Sequence, residues 1–229
     1  MNELLEKKYI AYREKVRAFA EAEVKPIAIE QDKKEEFPVA LAKKMGEAGL
    51  FGITMPKELG GQGLDYLSYI IAIEEIARVD SSPAATIAAH NSLGITPIYN
   101  YGTEEQKKKW IPGLCTGEKL WAFGLTEISA GSDAKGVQTT AILEEGNWII
   151  NGSKMFITNA ASDIASGLLC LGEELLPAAP ARSHPRDYPG GHWGNRYHRS
   201  VDSAQNRRYC GPDSGRTSRI NLQLSSHSL

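Results

Sequence analysis

The sequence predicts an α+β chain, with an all-α N-terminal part to about residue 118 and the first strands of a β domain after it. Three observations predict this. Up to residue 118, apolar residues recur three and four apart between capping and glycine stop signals. From Leu120 the pattern changes to short apolar runs at strand spacing, broken by one hairpin-loop sequence, Glu144-Glu145-Gly146-Asn147. From about residue 182 neither period persists and the residue usage itself changes.

The helical elements follow in order. Asn2 is placed to cap a first helix whose stripe is Leu5, Tyr9, Tyr12, Val16 and Phe19, ending before Pro26. A second helix opens with Pro38 in its first turn and closes at Gly49, a residue suited to a left-handed cap. Gly60-Gly61-Gln62-Gly63 lacks the spacing of a phosphate loop and reads as a tight turn. A third helix, about 65–79, is expected to bury Leu67, Ile70, Ile71 and Ala77 and to leave Glu74, Glu75 and Arg78 in solvent. Ser82-Pro83 reads as cap and first-turn proline of an alanine-rich helix over 83–92. Thr103-Glu-Glu-Gln106 is a capping box for one more. Short connections between these segments imply an antiparallel helical unit. Strands are expected at Leu120–Leu125, Thr139–Leu143, Trp148–Asn151 and Met155–Thr158.

Composition sets the class. The 229 residues are 41% hydrophobic and 24% charged, ordinary globular values. No apolar run is long enough to span a membrane, and the charged, helical N-terminus is not a secretory signal. Cys115, Cys170 and Cys210 lie far apart with no metal-ligand spacing, which argues for a reducing, cytoplasmic setting. The net charge of −2 conceals an asymmetry: residues 1–181 carry −7 and residues 182–229 carry +5, from eight arginines against Asp187, Asp202 and Asp213. All lysines lie before residue 155 and the last glutamate is Glu174. Residues 171–229 therefore read as a tail rich in Arg, Ser, Gly and His. A basic nucleic-acid segment, with Trp193 and Tyr197 as stacking partners, is one reading. A structureless, solvated extension is another. The switch from Lys/Glu to Arg/His usage fits a frameshifted or unrelated extension better than a nucleic-acid module.

Candidate chemistry concentrates in Gly124-Leu-Thr-Glu-Ile-Ser-Ala-Gly-Ser-Asp-Ala-Lys-Gly136, where a strand enters a loop of small residues. Such a loop allows close backbone approach, and its N–H groups can bind anionic or carbonyl oxygens, as in a flavin pyrimidine edge or a pyrophosphate. On composition alone it equally serves as a polar turn. His90 has no Ser/Asp partner in the sequence, and the adjacent pairs Glu74-Glu75 and Glu144-Glu145 cannot face each other across a substrate. Lys107-Lys108-Lys109 reads as a solvated face.

Gly124-Leu125-Thr126-Glu127, Ala130-Gly131-Ser132-Asp133 and Gly136 together resemble the first signature of the acyl-CoA dehydrogenase family. Pro56-Lys-Glu-Leu-Gly-Gly-Gln-Gly63, Tyr101-Gly-Thr-Glu-Glu-Gln-Lys107 and Asn151-Gly-Ser-Lys-Met-Phe-Ile-Thr-Asn159 resemble further family blocks, in the family's order. Ile128 stands where a proline is common, and Phe123 where a tyrosine is frequent. The resemblance, closest to short- and medium-chain members, implies an N-terminal helical domain over 1–118 and the start of a β-barrel-like middle domain over 119–170. It also implies FAD as cofactor, an acyl-CoA substrate, dehydrogenation to the trans-2-enoyl-CoA, an electron-transferring flavoprotein as partner, a homotetramer and a role in fatty acid metabolism.

By the same resemblance Phe123, Gly124, Leu125, Thr126 and Ser132 line the flavin and thioester site, with Ser132 toward FAD phosphate or the CoA portion. Phe156 matches the aromatic beside the isoalloxazine, Ile157 follows it, and Thr158 matches the hydroxyl near flavin N5. The family's glutamate base belongs to a C-terminal four-helix domain, which this sequence is expected to lack, so no catalytic residue is assigned. An acyl-CoA oxidase or flavin monooxygenase of the same superfamily is the nearest alternative, and a non-enzymatic fragment with a basic binding tail the more distant one.

Overall fold

The computed structural model describes residues 6–144, 147–160, 162–175, 201–202 and 220–224. These fall into two compact units. The first holds the described residues within Met1–Phe123, Thr158–Leu168 and Val201–Gln205, the second those within Gly124–Ile157, Leu169–Ser200 and Asn206–Leu229.

Helices make most of the first unit: α1 (Lys7–Phe19), α2 (Ala28–Lys34), α3 (Val39–Glu47), α4 (Tyr66–Ala77), α5 (Ser81–Ala89), α6 (Thr96–Tyr101) and α7 (Glu104–Cys115). The apolar stripe of α1 runs on through a π-helical turn, Ala20–Val24, so that Val16, Ala20 and Val24 enter one core with Leu41, Met45, Phe51, Ile53, Ile76 and Ile87. The expected cap Asn2 and stripe residue Leu5 lie outside the described residues, and α2 is an element the periodicity did not announce. Gly49 takes the left-handed conformation (φ 76°) that closes α3. Thr103 and Gln106 form the expected capping box at α7, each side chain bonding the other's backbone N–H. At α5 the cap is Asp80, whose carboxylate accepts from Ser82 N–H, and the helix starts at Ser81, one residue before the expected cap. Gly60 and Gly63 adopt positive φ, and a Cβ at Gly61 would sit 2.3 Å from the Met55 carbonyl oxygen, so this glycine cluster is a turn that packs on its own backbone.

Helix α4 departs from its expected burial. Asp65 caps it by accepting from Ser68 N–H, and the inward face is Ser68, Ile71, Ala72, Glu75 and Ile76. Leu67 and Ile70 are exposed, at 41% and 55%, and so is Ala77. Glu75, expected in solvent, is 1% exposed. The cause is α1, which supplies Arg13 (Nη1 to Glu75 Oε1, 3.0 Å) and a two-point contact from Arg17 (Nε 2.8 Å, Nη2 2.9 Å). A carboxylate with such partners can be buried where an unpaired one cannot. The Arg17 hydrogen bond holds the Glu75 carboxyl below the ordinary carboxylate range, against the upward pull of burial.

Strand β1 (Leu120–Gly124) begins beside His90, whose Nε2 donates to the Leu114 carbonyl (3.0 Å) and whose Nδ1 accepts from Trp121 N–H (3.4 Å). A three-stranded sheet has the order β1, β4 (Ala165–Cys170), β6 (Val201–Asp202). Gly167 in β4 lets Trp121 lie against it, since a Cβ there would come within 2.2 Å of the indole.

The second unit is built on a four-stranded sheet of order β5 (Glu173–Leu175), β2 (Thr140–Glu144), β3 (Asn147–Lys154), β7 (Ile220–Leu224). Strands β2 and β3 form the expected hairpin, antiparallel from Thr140↔Asn151 to Glu144↔Asn147, and its tip residues Glu145 and Gly146 lie outside the described residues. Strand β5 pairs parallel to β2, and β7 antiparallel to β3. The segment 155–158, expected as a strand, is irregular: Phe156 has φ 59°, which turns the backbone out of the extended region. The tail beyond residue 170, expected without regular structure, contributes β5, β6 and β7. Ile220-Asn-Leu-Gln-Leu224 alternates apolar and polar residues, a strand period overlooked among the surrounding arginines. The rest of the tail, including Trp193 and Tyr197, lies outside the described residues.

Candidate flavin-facing site

Where β1 ends, the chain turns its carbonyls inward. Gly124 C=O accepts from Leu171 N–H (2.9 Å), and Thr126 C=O accepts from Met155 N–H (2.9 Å). The Leu125 carbonyl accepts from Lys154 Nζ (3.1 Å). Gly124 is buried, while Leu125 and Thr126 are half-buried. With these carbonyls engaged, the N–H groups of Leu125 and Thr126 are, among the described residues, the segment's backbone donors without an acceptor.

Glu127 fixes that arrangement. It is 6% exposed, and its carboxylate accepts four hydrogen bonds: from Lys154 Nζ (2.7 Å), Thr139 N–H (3.0 Å) and the Thr139 hydroxyl on Oε1, and from Gln138 N–H (2.7 Å) on Oε2. Burial pushes the Glu127 carboxyl up, but the hydrogen bonds from Lys154, Thr139 and the two backbone N–H groups outweigh it and hold the group at about 2. A reciprocal pair, Glu127 N–H to Ala130 O (2.9 Å) and Ala130 N–H to Glu127 O (3.3 Å), closes the turn. Ile128 within this turn and Gly131 and Ser132 beyond it are exposed, and a Cβ built at Gly131 would meet nothing within 4 Å.

The same hydrogen bond that engages Thr126 delivers the aromatic. Met155 bonds to Thr126, and the next residue, Phe156, is 60% exposed in a left-handed conformation. For a bulky side chain this conformation is a true outlier, of the kind that collects at ligand sites. Ile157 is 5% exposed, so its side chain belongs to the core and only its backbone can serve a ligand.

Thus the second unit brings together Gly124, Leu125, Thr126, Phe156 and Ile157, with Ser132 exposed further along the same loop. Phe123, half-buried at the end of β1, and Thr158, exposed, belong to the first unit. There too lies Asn159, which is 7% exposed with φ 71° and finds no hydrogen-bond partner among the described residues for either side-chain polar atom.

Sequence reasoning missed Glu127, Lys154 and Thr139 as site builders. A signal existed: Glu127 is the sole charge in Gly124–Ser132, and Lys154 the sole charge in Asn151–Asn159. Other candidates lose ground. His90 is fully buried with both ring nitrogens bonded to backbone, and burial lowers its pKa to about 4. Burial raises Cys115 to about 12 and Cys170 to about 11, which makes both poor nucleophiles. Among the described residues no group of three or more His, Cys, Asp or Glu could hold a metal, and no helix is long and apolar enough to cross a membrane.

The chain is thus a helical unit and a β unit, the latter carrying an exposed aromatic and an open loop of small residues. Residues 6–118 match the acyl-CoA dehydrogenase N-terminal domain and residues 122–176 its middle domain. The chain belongs to the acyl-CoA dehydrogenase family. It is 52% identical over 147 residues to the short-chain specific acyl-CoA dehydrogenase of Clostridium acetobutylicum, covering 64% of this chain and 39% of that one. A chain from the structure described as the electron transferring flavoprotein of Acidaminococcus fermentans is 45% identical with a TM-score of 0.70, over 74% of this chain and 44% of that one. The acyl-CoA dehydrogenase of Bacillus anthracis, solved with FAD, is 40% identical with a TM-score of 0.69, over 75% and 29%. The chain therefore spans about two fifths of the length of the curated relative.

Proposed function

We propose that this chain forms the N-terminal and flavin-facing middle portion of an FAD-dependent acyl-CoA dehydrogenase acting on short-chain acyl-CoA, with an electron-transferring flavoprotein as electron acceptor. The observation that carries the reading is the Thr126–Met155 hydrogen bond, which sets an exposed aromatic next to the Leu125 and Thr126 N–H groups, neither of which has an acceptor among the described residues. These features fit a flavin: the ring of Phe156 suits a flat face, and N–H donors suit the carbonyl-rich pyrimidine edge. When bound, the flavin supplies the hydride acceptor for forming the trans-2-enoyl-CoA.

The residues of this chain bind and orient. Leu125 and Thr126 donate to the pyrimidine edge, and Phe156 covers one face of the ring and excludes water there. Ser132, exposed on its loop, is assigned to a phosphate or to the CoA portion. Phe123 and Thr158 are assigned on the family resemblance, Thr158 as a hydroxyl donor that would stabilise charge on the reduced ring. No proton-abstracting residue is assigned to this chain. A helical domain over 1–118 and a middle domain from 119, placed at 119–170 from the sequence with the family match running on to residue 176, form part of the same proposal.

A chimera tests it: the 147 residues of this chain that match the Clostridium relative replace the corresponding span of that relative, and FAD content and acyl-CoA oxidation are measured. We expect a yellow, active chimera whose Thr158→Ala form has a perturbed flavin spectrum. A folded chimera without FAD would contradict the reading.

A further inference from the structure

Lys154 is the one cation among the fully buried large side chains of the described residues, and it lies at the end of a strand whose next two residues carry the ligand-facing features. Its ammonium bridges the Leu125 carbonyl and the Glu127 carboxylate, at 3.1 and 2.7 Å. Glu127 in turn takes the Thr139 hydroxyl and the N–H groups of Gln138 and Thr139. One buried pair thus ties three separate stretches of chain, 125–127, 138–139 and 154, at a single point.

The surrounding backbone is shaped around this point. A Cβ at Gly152 would stand 2.2 Å from Thr139 Oγ1, and one at Gly172 2.9 Å from the Thr139 carbonyl oxygen. Glycines at both positions let Thr139 seat between neighbouring backbones and reach Glu127. A buried ion pair seldom stabilises a fold more than apolar residues of the same shape would. Its directional bonds, in contrast, fix geometry, and geometry is what Leu125, Thr126 and Phe156 require.

We infer that Glu127 and Lys154 act as a positioning clamp, holding the Leu125–Thr126 donors and the Phe156 ring at one fixed separation so that both engage the same flavin. The clamp rests on the flavin reading above. Neither residue touches the ligand. Lys154 sets the height of the Leu125 carbonyl, and with it the direction of the following N–H groups. It also anchors the residue before Met155, whose N–H closes the bond to Thr126.

The test uses the full chain and the variants Glu127→Gln, Lys154→Met and Phe156→Leu, singly and combined, with FAD as the probe. One readout needs no flavin: exchange of the Met155 amide proton. In either clamp variant that proton should exchange about a hundredfold faster, while amides elsewhere in β2 and β3 keep their protection. The second readout is FAD affinity from fluorescence quenching. Phe156→Leu should weaken binding about tenfold in the unaltered chain and by less than about twofold in a clamp variant, because an unplaced ring has nothing left to lose. If Lys154→Met does not fold, Glu127→Gln, which keeps volume and an acceptor, carries the measurement alone.

Equal Met155 protection in all variants, or a Phe156→Leu effect of the same size with and without the clamp, would overturn the clamp while leaving the flavin reading intact. Failure of the unaltered chain to bind FAD would remove the flavin reading and the positioning role together.

Discussion

Two buried titrating groups make separate predictions at the scale of single residues. Glu127 sits at about 2 in the folded chain against an ordinary value of 4.5, so its contribution is full above the unfolded pKa and is lost as pH falls toward 2. The difference corresponds to about 3 kcal/mol. His90 is held neutral, at about 4 against 6.5. Its folded pKa is also depressed, so its contribution is present above pH 6.5 and is lost on acidification toward pH 4. Chemical denaturation of the full chain between pH 7 and 2 should therefore show two successive losses of stability. His90→Gln should remove the upper one and Glu127→Gln should shrink the lower. Unchanged slopes in both variants would refute these assignments.

Residue identity was legible in the sequence to different degrees. The capping box at Thr103 and Gln106 is local chemistry, and it formed as read. The fate of Glu75 is not local, because nothing in α4 itself reveals two arginines waiting on α1. Glu127 and Lys154 stood in plain view, but their pairing spans 27 positions and depends on the hairpin that lies between them.

At the scale of elements, α4 is the instructive case. Its apolar residues spread around so much of the helix that the stripe reads equally well through Leu67 and Ile70 or through Ile71 and Ile76, and contact with α1 selects the second. Glu75→Ala should cost about 1–3 kcal/mol, because it removes the buried carboxylate that Arg13 and Arg17 share and leaves the buried Arg13 guanidinium with Glu74 as its carboxylate partner. Glu74→Ala, at an exposed position with one arginine contact, should cost less than about 1 kcal/mol. Thermal unfolding of the two variants side by side checks the contrast, and equal losses would contradict it. Thr103→Ala should cost about 1 kcal/mol through loss of the α7 cap.

The segment after β3 failed as a predicted strand for a related reason. Its β-forming residues, Phe156, Ile157 and Thr158, favour extension, yet Phe156 is held at positive φ. Strain of this kind costs roughly 1–3 kcal/mol. Phe156→Gly should therefore stabilise the chain in a thermal melt while weakening its hold on FAD. A destabilised Phe156→Gly would show that the ring contributes more to the fold than its exposure implies.

For the whole molecule, the helical unit and the opening hairpin were legible because caps, glycines and periodicity are written locally. Strand β7 was not, since its alternation is five residues long and stands amid arginine-rich sequence whose composition dominated the reading. The candidate site was proposed from motifs, and its geometry was not legible in them. The engagement of the 124–126 carbonyls and the outward turn of Phe156 emerge only when the 124–127 segment and the end of β3 come together within the second unit. Family membership rests on matches over both the N-terminal and middle domains, while the activity of the longer relatives is here a proposal that the chain's own site must justify.

The most direct measurement is an equilibrium titration of FAD into the full chain, followed by flavin fluorescence, repeated with Phe156→Ala. The account predicts saturable binding with quenched fluorescence, weakened about tenfold or more by loss of the aromatic ring. Absence of saturable binding, or an affinity indifferent to Phe156, would contradict it.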